Sequence, residues 1–501
     1  MESLIITNSQ KGNNYYIITN KKFVGYAHPI LAWIYSFEKN NKSLDNIPKN
    51  IKINEIGEIS EDIITYYTKK YLFLKECGLQ KIERKDEFNG CISKQIVDYK
   101  IANLNQLTLE VTDACNLKCK YCGYGEFYSD YDIRKNKILS FDIAKNIIDY
   151  VVDKWNSTLN SSYEAKSYIS FYGGEPLLGI SLIKEIINYI KTLKVNREIV
   201  FSMTTNGLLL DKHMDFLYEH EIFLLISLDG DSYNNSYRVD HKGNSSFKKL
   251  MQNINLLSQK YPNYFADRVS FNSVLHDRNS VEDIHFFIKE NFNQRANISQ
   301  LNNSGIKKDK LIEFHEMFKN YYDDLIKSSY YHEITNELFL NTPDNRALTI
   351  FISQYSGNFY ESYIDFFVDN ERTIKIPTGT CFPFGKKMYI TVNGKILPCE
   401  RIGHQFQLGL VAKNSINLNT SEIAKKYNLY YNKIRKQCTT CYNIYSCSQC
   451  IFNLDDIDDK TVNCIGYTNL KKFKKYLSFI ISYLENNPLL YKRIMKEVVI
   501  D

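Results

Sequence analysis

The 501-residue chain predicts an α/β protein: a parallel sheet curved into a partial barrel, with a small strand–helix module before it and a cysteine-rich segment after it. Three observations predict this. Six apolar, β-rich runs alternate with helical patterns between residues 104 and 305, and units of that length favour a parallel sheet closing toward a barrel. Residues 1–96 place a hairpin signal ahead of two helical patterns. The twelve cysteines are lopsided, with none between positions 123 and 380. Apolar residues at 44% and charged residues at 24% allow a sizeable core, and the length suits about two to four domains. The net charge of +6 is scattered, including the Lys471–Lys472 and Lys474–Lys475 runs that read as a solvated helix face, and argues for no nucleic-acid partner. The first residues turn polar without a signal-like apolar stretch, and no run approaches the ~20 apolar residues that span a bilayer. The reading is a cytoplasmic protein with no membrane partner.

In order along the chain, Tyr15 to Thr19 and Phe23 to Tyr26 flank Asn20-Lys-Lys as a hairpin, and Pro29 opens a helix over 30–37. Ser60, Glu61 and Asp62 suit the start of a second helix and Gly78 its stop. Together they predict a winged-helix-like module. The barrel strands are expected at 107–112, 168–172, 199–204, 223–228, 269–275 and 297–301. Helices are expected at 141–154, 182–193, 214–220, 247–260 and 281–290, with Ser140 capping the first. Chemistry in such folds gathers at the C-terminal strand ends. Residues 306–376 read as a helical bridge rich in Tyr and Phe, and 377–501 as the cysteine-rich segment with a terminal amphipathic helix. Cys77 and Cys91, which stand alone, read as structural thiols.

Just past the first strand lies Cys115-Asn-Leu-Lys-Cys119-Lys-Tyr-Cys122. Three thiolates in a tight loop suit three irons of a cubane cluster, whereas structural zinc takes four ligands and no fourth Cys or His lies nearby. Gly173-Gly174-Glu175-Pro176 follows the second strand, Thr204-Thr205-Asn206-Gly207 the third, and Ser227-Leu228-Asp229-Gly230 the fourth, with Arg238 soon after. The cysteine spacing and these strand-end motifs resemble the radical S-adenosylmethionine (SAM) superfamily. The resemblance implies a (β/α)6 radical SAM barrel in which Cys115, Cys119 and Cys122 hold a [4Fe–4S] cluster whose open iron chelates SAM's methionine part. It implies reductive cleavage of SAM to a 5′-deoxyadenosyl radical that abstracts a substrate hydrogen, with flavodoxin or ferredoxin as the type of reductant. By the same resemblance Gly173, Gly174 and Glu175 hold SAM's amino group, Thr205 and Asn206 line its site, and Ser227 of the Ser227–Asp229 motif contacts it. Arg238 would pair with its carboxylate, a partner that guanidinium suits.

The second group is Cys381 and Cys399, then Cys438-x2-Cys441-x5-Cys447-x2-Cys450, then Cys464. Two Cys-x2-Cys pairs alone also read as a zinc ribbon. Beside the first cluster they resemble the SPASM extension of peptide-modifying radical SAM enzymes, except that two residues rather than three precede Cys450. The resemblance implies two auxiliary [4Fe–4S] clusters, one on Cys438, Cys441, Cys447 and Cys464 and the other on Cys381, Cys399 and Cys450. Seven cysteines leave one of eight positions for a substrate thiolate, His404 or Glu400. Glu400 follows Cys399 directly and, as in similar sulfatase-maturating enzymes, would act as a base.

The winged-helix-like module resembles the leader-recognition element of ribosomal-peptide (RiPP) maturases, which bind a leader as an added strand, so the 15–26 hairpin is the expected docking edge for a precursor peptide. The combined reading is a radical SAM maturase that installs a thioether or another crosslink in a peptide. A formylglycine-forming sulfatase maturase and a zinc-binding, non-catalytic protein are the alternatives.

Overall fold

The computed structural model describes all residues except 1, 3, 20, 21, 55, 80–89, 162–165, 356–375, 377, 378, 455, 456, 458–461 and 499–501. The turn expected at 20–21 and parts of the bridge and the cysteine-rich segment fall outside the described residues.

The N-terminal module is a three-stranded antiparallel sheet, β1 (Leu4–Asn8), β2 (Asn14–Ile18) and β3 (Phe23–Tyr26), in that spatial order. Helices Pro29–Lys39 and Glu61–Leu79 follow it, and a short ladder of β4 (Ile51–Ile53) and β5 (Gly57–Ile59) lies between them. Period-two alternation gives the sheet two apolar faces. Leu4, Ile6 and Ile18 pack with Ile30, Ile34 and Tyr71 of the module's helices. Ile5, Tyr15 and Ile17 pack on Leu477 and Ile480 of the C-terminal helix Leu470–Asn486 and on Leu348 and Ile352 of the bridge helix Pro343–Tyr355. Polar contacts reinforce this junction: Ser478 Oγ donates to the Asn8 carbonyl at 2.6 Å, and the Tyr15 hydroxyl donates to Glu485 at 2.5 Å. Lys474, expected on a solvated face, donates to the Tyr35 hydroxyl at 2.7 Å and lies over its ring. Cys77 packs on the module's core, as a structural thiol would, whereas Cys91 is exposed.

Six parallel strands form the barrel: β6 (Gln106–Thr112), β7 (Lys166–Gly173), β8 (Glu198–Thr205), β9 (Phe223–Ser227), β10 (Val269–Leu275) and β11 (Ala296–Gln300). Each hydrogen-bonds to its sequence neighbour, and helices Phe141–Trp155, Ile180–Thr192, Leu210–Glu219, Phe247–Lys260 and Val281–Phe292 return the chain. Their apolar stripes, such as Ile147, Ile148, Val151 and Trp155, bury against the sheet's outer face. Ser140 stands at the expected cap but its side chain makes no capping bond, whereas Ser280 caps its helix through Asp283 N at 3.0 Å.

Helix Lys94–Ala102 straddles the boundary expected at 96, and its Val97 and Ile101 belong to the barrel core. The other boundary is also crossed, because the cysteine-rich segment continues the same sheet. Strand β12 (Met388–Ile390) runs parallel to β6, with Met388 opposite Leu107, and β13 (Lys395–Leu397), β14 (Gly409–Ala412) and β15 (Ser415–Asn417) add antiparallel. The result is one open ten-stranded sheet.

Candidate functional site

Strand β6 ends at Thr112, and the next residue ties off the loop that carries the cysteines. The Asp113 carboxylate accepts from Lys135 N at 2.8 Å and Lys137 N at 2.6 Å, so residues 114–134 leave and return at one strand end. The loop docks on the segment after β9, with Lys118 N donating to the Val239 carbonyl at 2.7 Å. Cys115, Cys119 and Cys122 thereby line one mouth of an open cavity of about 1380 Å³ over the C-terminal strand ends. Burial raises the Cys115 thiol and pushes Cys119 up to about 12, so both hold their protons until a cation displaces them. Donors already face the sulfurs. Arg134 Nη2 lies 3.5 Å from Cys122 Sγ, while Leu117 N and Asn206 Nδ2 lie 3.4 and 3.8 Å from Cys115 Sγ. The buried Nε of Arg134 has no partner among the described residues. Such a shell fits three anionic sulfurs on an iron–sulfur cluster, whose potential hydrogen bonds to sulfur tune. Among the described residues, no group of three His, Cys, Asp or Glu side chains converges as a single metal ion needs.

The strand-end motifs surround this mouth, with two departures from expectation. Gly173, Gly174, Thr205, Asn206, Ser227 and Arg238 line the cavity. Glu175 and Asp229 do not. Glu175 is fully buried and accepts from Thr205 Oγ1 and Asn206 N at 2.8 Å and from Leu177 N at 3.1 Å, so it sutures the ends of β7 and β8 rather than facing an ammonium. Burial pushes its carboxyl up to about 7. The two glycines also serve the protein itself. Gly174 N donates to the Thr112 carbonyl at 2.8 Å, and a Cβ on Gly173 or Gly174 would meet the Thr112 or Ala114 carbonyl oxygen at 2.2 or 2.1 Å.

Arg238 already holds a carboxylate. Its Nε and Nη2 lie 2.9 and 3.0 Å from the two oxygens of Asp229, both residues being buried. Asp229 also accepts from the Tyr121 hydroxyl and from Val274 N at 2.9 Å. Despite burial, the Arg238 charge holds the Asp229 carboxyl well below its usual range. Arg238, expected to pair with the carboxylate of SAM, also pairs with one of the chain's own. Asp229 in turn joins the cysteine loop through Tyr121 to β9 and β10. Arg134, absent from the motif reading, is the cation beside the thiols, and it is the lone arginine between positions 84 and 197.

The same cavity is lined by Glu400, with its oxygens 3.1 and 3.0 Å from Lys387 Nζ and one of them 3.6 Å from Cys399 Sγ. Burial alone would raise its carboxyl, but the Lys387 ammonium outweighs burial and lowers it. His404 is turned away to Asp132, 3.4 Å from its carboxylate. The remaining cysteines fall into two sets. Cys438, Cys441, Cys447 and Cys464 line one small cavity. Cys381 and Cys450 are neighbours in space, since Ile451 N donates to Thr380 Oγ1 at 2.8 Å, and their charges, with that of Cys399, converge on Tyr427.

Residues 109–290 match the Radical SAM superfamily. These residues are a radical SAM domain. Over 302 residues the chain is 26% identical to a radical SAM cyclopropyl synthase, TigE, of Paramaledivibacter caminithermalis, covering 58% of this chain and 59% of that protein. Over 163 residues it is 34% identical to a cysteine-type anaerobic sulfatase-maturating enzyme of Clostridium novyi, covering 31% and 41%. The chain thus spans about three-fifths and two-fifths of these relatives' lengths. The solved structure of native anSMEcpe with bound AdoMet shares the fold, with a TM-score of 0.53 at 19% identity over 78% of this chain and 99% of that one. Radical SAM domains use a [4Fe–4S] cluster and SAM. Among the described residues no helix is long and apolar enough to cross a membrane.

Proposed function

We propose that the chain is a peptide maturase whose radical SAM domain activates a precursor peptide for crosslinking. The carrying observation is one cavity lined both by the three cysteines and by the Glu400–Lys387 pair. Cys115, Cys119 and Cys122 would hold the cluster. When bound, cluster and SAM supply reductive cleavage of the sulfonium and a hydrogen-abstracting carbon radical. The protein's own residues do the rest. Arg134 and Asn206 donate toward the sulfurs, Gly173, Gly174 and Ser227 border the space for SAM, and Asp229 and Arg238 hold the loop in place. Glu400, kept ionised by Lys387, is the acceptor for a thiol or backbone proton. Cys438, Cys441, Cys447 and Cys464 would hold one auxiliary cluster, and Cys381, Cys399 and Cys450 the ligands of another.

The N-terminal sheet supports a peptide substrate. Among the described residues no strand pairs with the outer edge of β3, where Tyr26 is 72% exposed. Such an edge takes an extended leader as a further strand. Formylglycine formation is the second reading, favoured by the 34% identity to a sulfatase-maturating enzyme.

The test is anaerobic. Protein reconstituted with iron and sulfide, reduced with dithionite and given SAM should yield 5′-deoxyadenosine, and the Cys115→Ala, Cys119→Ala, Cys122→Ala triple variant should yield none. With a cysteine-bearing precursor peptide, loss of two hydrogens alone marks a crosslink, and loss of two hydrogens together with exchange of sulfur for oxygen marks formylglycine. Iron-loaded protein that cleaves no SAM even with peptide present overturns the proposal.

A further inference from the structure

Tyr427 is a buried polar group whose hydroxyl finds no partner among the described residues. It lies on helix Thr420–Cys438 and is fully enclosed. An unpaired buried hydroxyl costs roughly 1–3 kcal/mol, so a fold keeps one only where something else satisfies it. The ring is wedged edge-on against Phe452, two residues past Cys450, at 5.3 Å between centroids, and against Tyr431 at 6.0 Å. Packing on both sides fixes where the hydroxyl points. The ionisable groups close enough to act on it electrostatically are Tyr431, Cys450, Cys381 and Cys399. The backbone brings two of these together independently: Thr380 Oγ1 accepts from Ile451 N at 2.8 Å, and Gly379 lies against the Cys447 carbonyl so closely that a Cβ would meet its oxygen at 1.6 Å.

We infer that the Tyr427 hydroxyl is the hydrogen-bond donor built for the sulfur shell of the auxiliary cluster on Cys381, Cys399 and Cys450. The inference rests on the reading of those cysteines as a cluster site. A phenol carries one O–H donor, which lets it serve a cluster sulfur as a hydrogen-bond donor. A donor to a cluster sulfur favours the one-electron-reduced, more negative state and so raises the reduction potential. Tyr427 is therefore a positioning residue that tunes this cluster and leaves the other auxiliary site, on Cys438, Cys441, Cys447 and Cys464, unaffected.

The experiment uses the full chain carrying Cys115→Ala, Cys119→Ala and Cys122→Ala, so that only auxiliary signals remain, reconstituted with ferrous iron and sulfide. Adding Cys381→Ala, Cys399→Ala and Cys450→Ala identifies the signal that belongs to this site. Unchanged iron content on that addition overturns the cluster reading itself. In a dithionite titration followed by electron paramagnetic resonance, Tyr427→Phe should shift the midpoint of the identified signal to more negative potential, with iron content and the other auxiliary signal unchanged. In the metal-free chain Tyr427→Phe should unfold at no lower temperature, because it removes an unsatisfied hydroxyl. No shift in midpoint, loss of iron with Tyr427→Phe, or a metal-free protein destabilised by it overturns the inference.

Discussion

Two carboxylates of like type carry opposite settings, and single-residue changes should expose both. Glu175 is buried among backbone and hydroxyl donors with its carboxyl near 7, above its ordinary 4.5. Between those values the folded chain holds a proton that the unfolded chain has lost, so its contribution to stability falls as pH rises through that window. In the metal-free protein, denaturant midpoints at about pH 5 and about pH 8 should differ less in Glu175→Gln than in the parent. An equal difference would show that the group does not titrate there. Glu400 sits beside Lys387 with its carboxyl lowered, so it stays ionised at neutral pH and loses that charge only on acidification below the ordinary carboxylate range. Glu400→Gln should lower peptide product formation by about 10²–10⁴-fold while SAM cleavage persists. A parallel fall in both rates would assign it a structural role instead. These settings were not readable beforehand. An acid after Gly-Gly or in Ser-Leu-Asp-Gly has the same spelling whether it faces a ligand or the core, and burial decides between them. Arg134 and Lys387 gave no signal beyond being cations, since contacts far along the chain create their roles.

Elements were far more legible. Strand β10 and helix Phe247–Lys260 agree with their expected ends, and the other barrel strands agree to within two residues, because continuous apolar runs end at Gly, Asn and Asp turns. Several elements escaped: β4, β5, β12, β13 and β15 have three residues each, too few for a period to register, and β1, β14 and helix Thr420–Cys438 were missed as well. Asp229 couples three of these elements, so its removal is an element-scale event. Asp229→Asn leaves the Arg238 charge buried beside a neutral amide and should cost about 3–5 kcal/mol in denaturant unfolding. A cost under about 1 kcal/mol, the worth of an exposed pair, would deny that the pair is buried. At β3, Ala27 N donates to the Asn14 carbonyl at 2.8 Å, which sets the antiparallel alternation and turns the peptide groups of Val24 and Tyr26 outward. Tyr26→Pro removes an outward donor without touching the β2 ladder. Leader binding measured by fluorescence anisotropy should weaken at least tenfold, with peptide-independent SAM cleavage unchanged. Unchanged leader affinity would move the docking site elsewhere.

At the scale of the molecule, the first and last parts of the chain are clamped together. The N-terminal sheet is held between its own helices and the C-terminal helix, and fully buried Leu477 is central to that contact. Leu477→Ala should destabilise the protein by about 2–5 kcal/mol and expose the N-terminal module to protease before the barrel is cut. Simultaneous cleavage of both would mean that they do not open separately. The parallel pairing of β12 with β6 sets a further limit. The strand that launches Cys115 is flanked on one side by the cysteine-rich segment, so that segment is no cassette to be grafted onto another barrel or trimmed from this one. A version ending before residue 377 would present β6 as a raw, aggregation-prone border directly beneath the three cysteines.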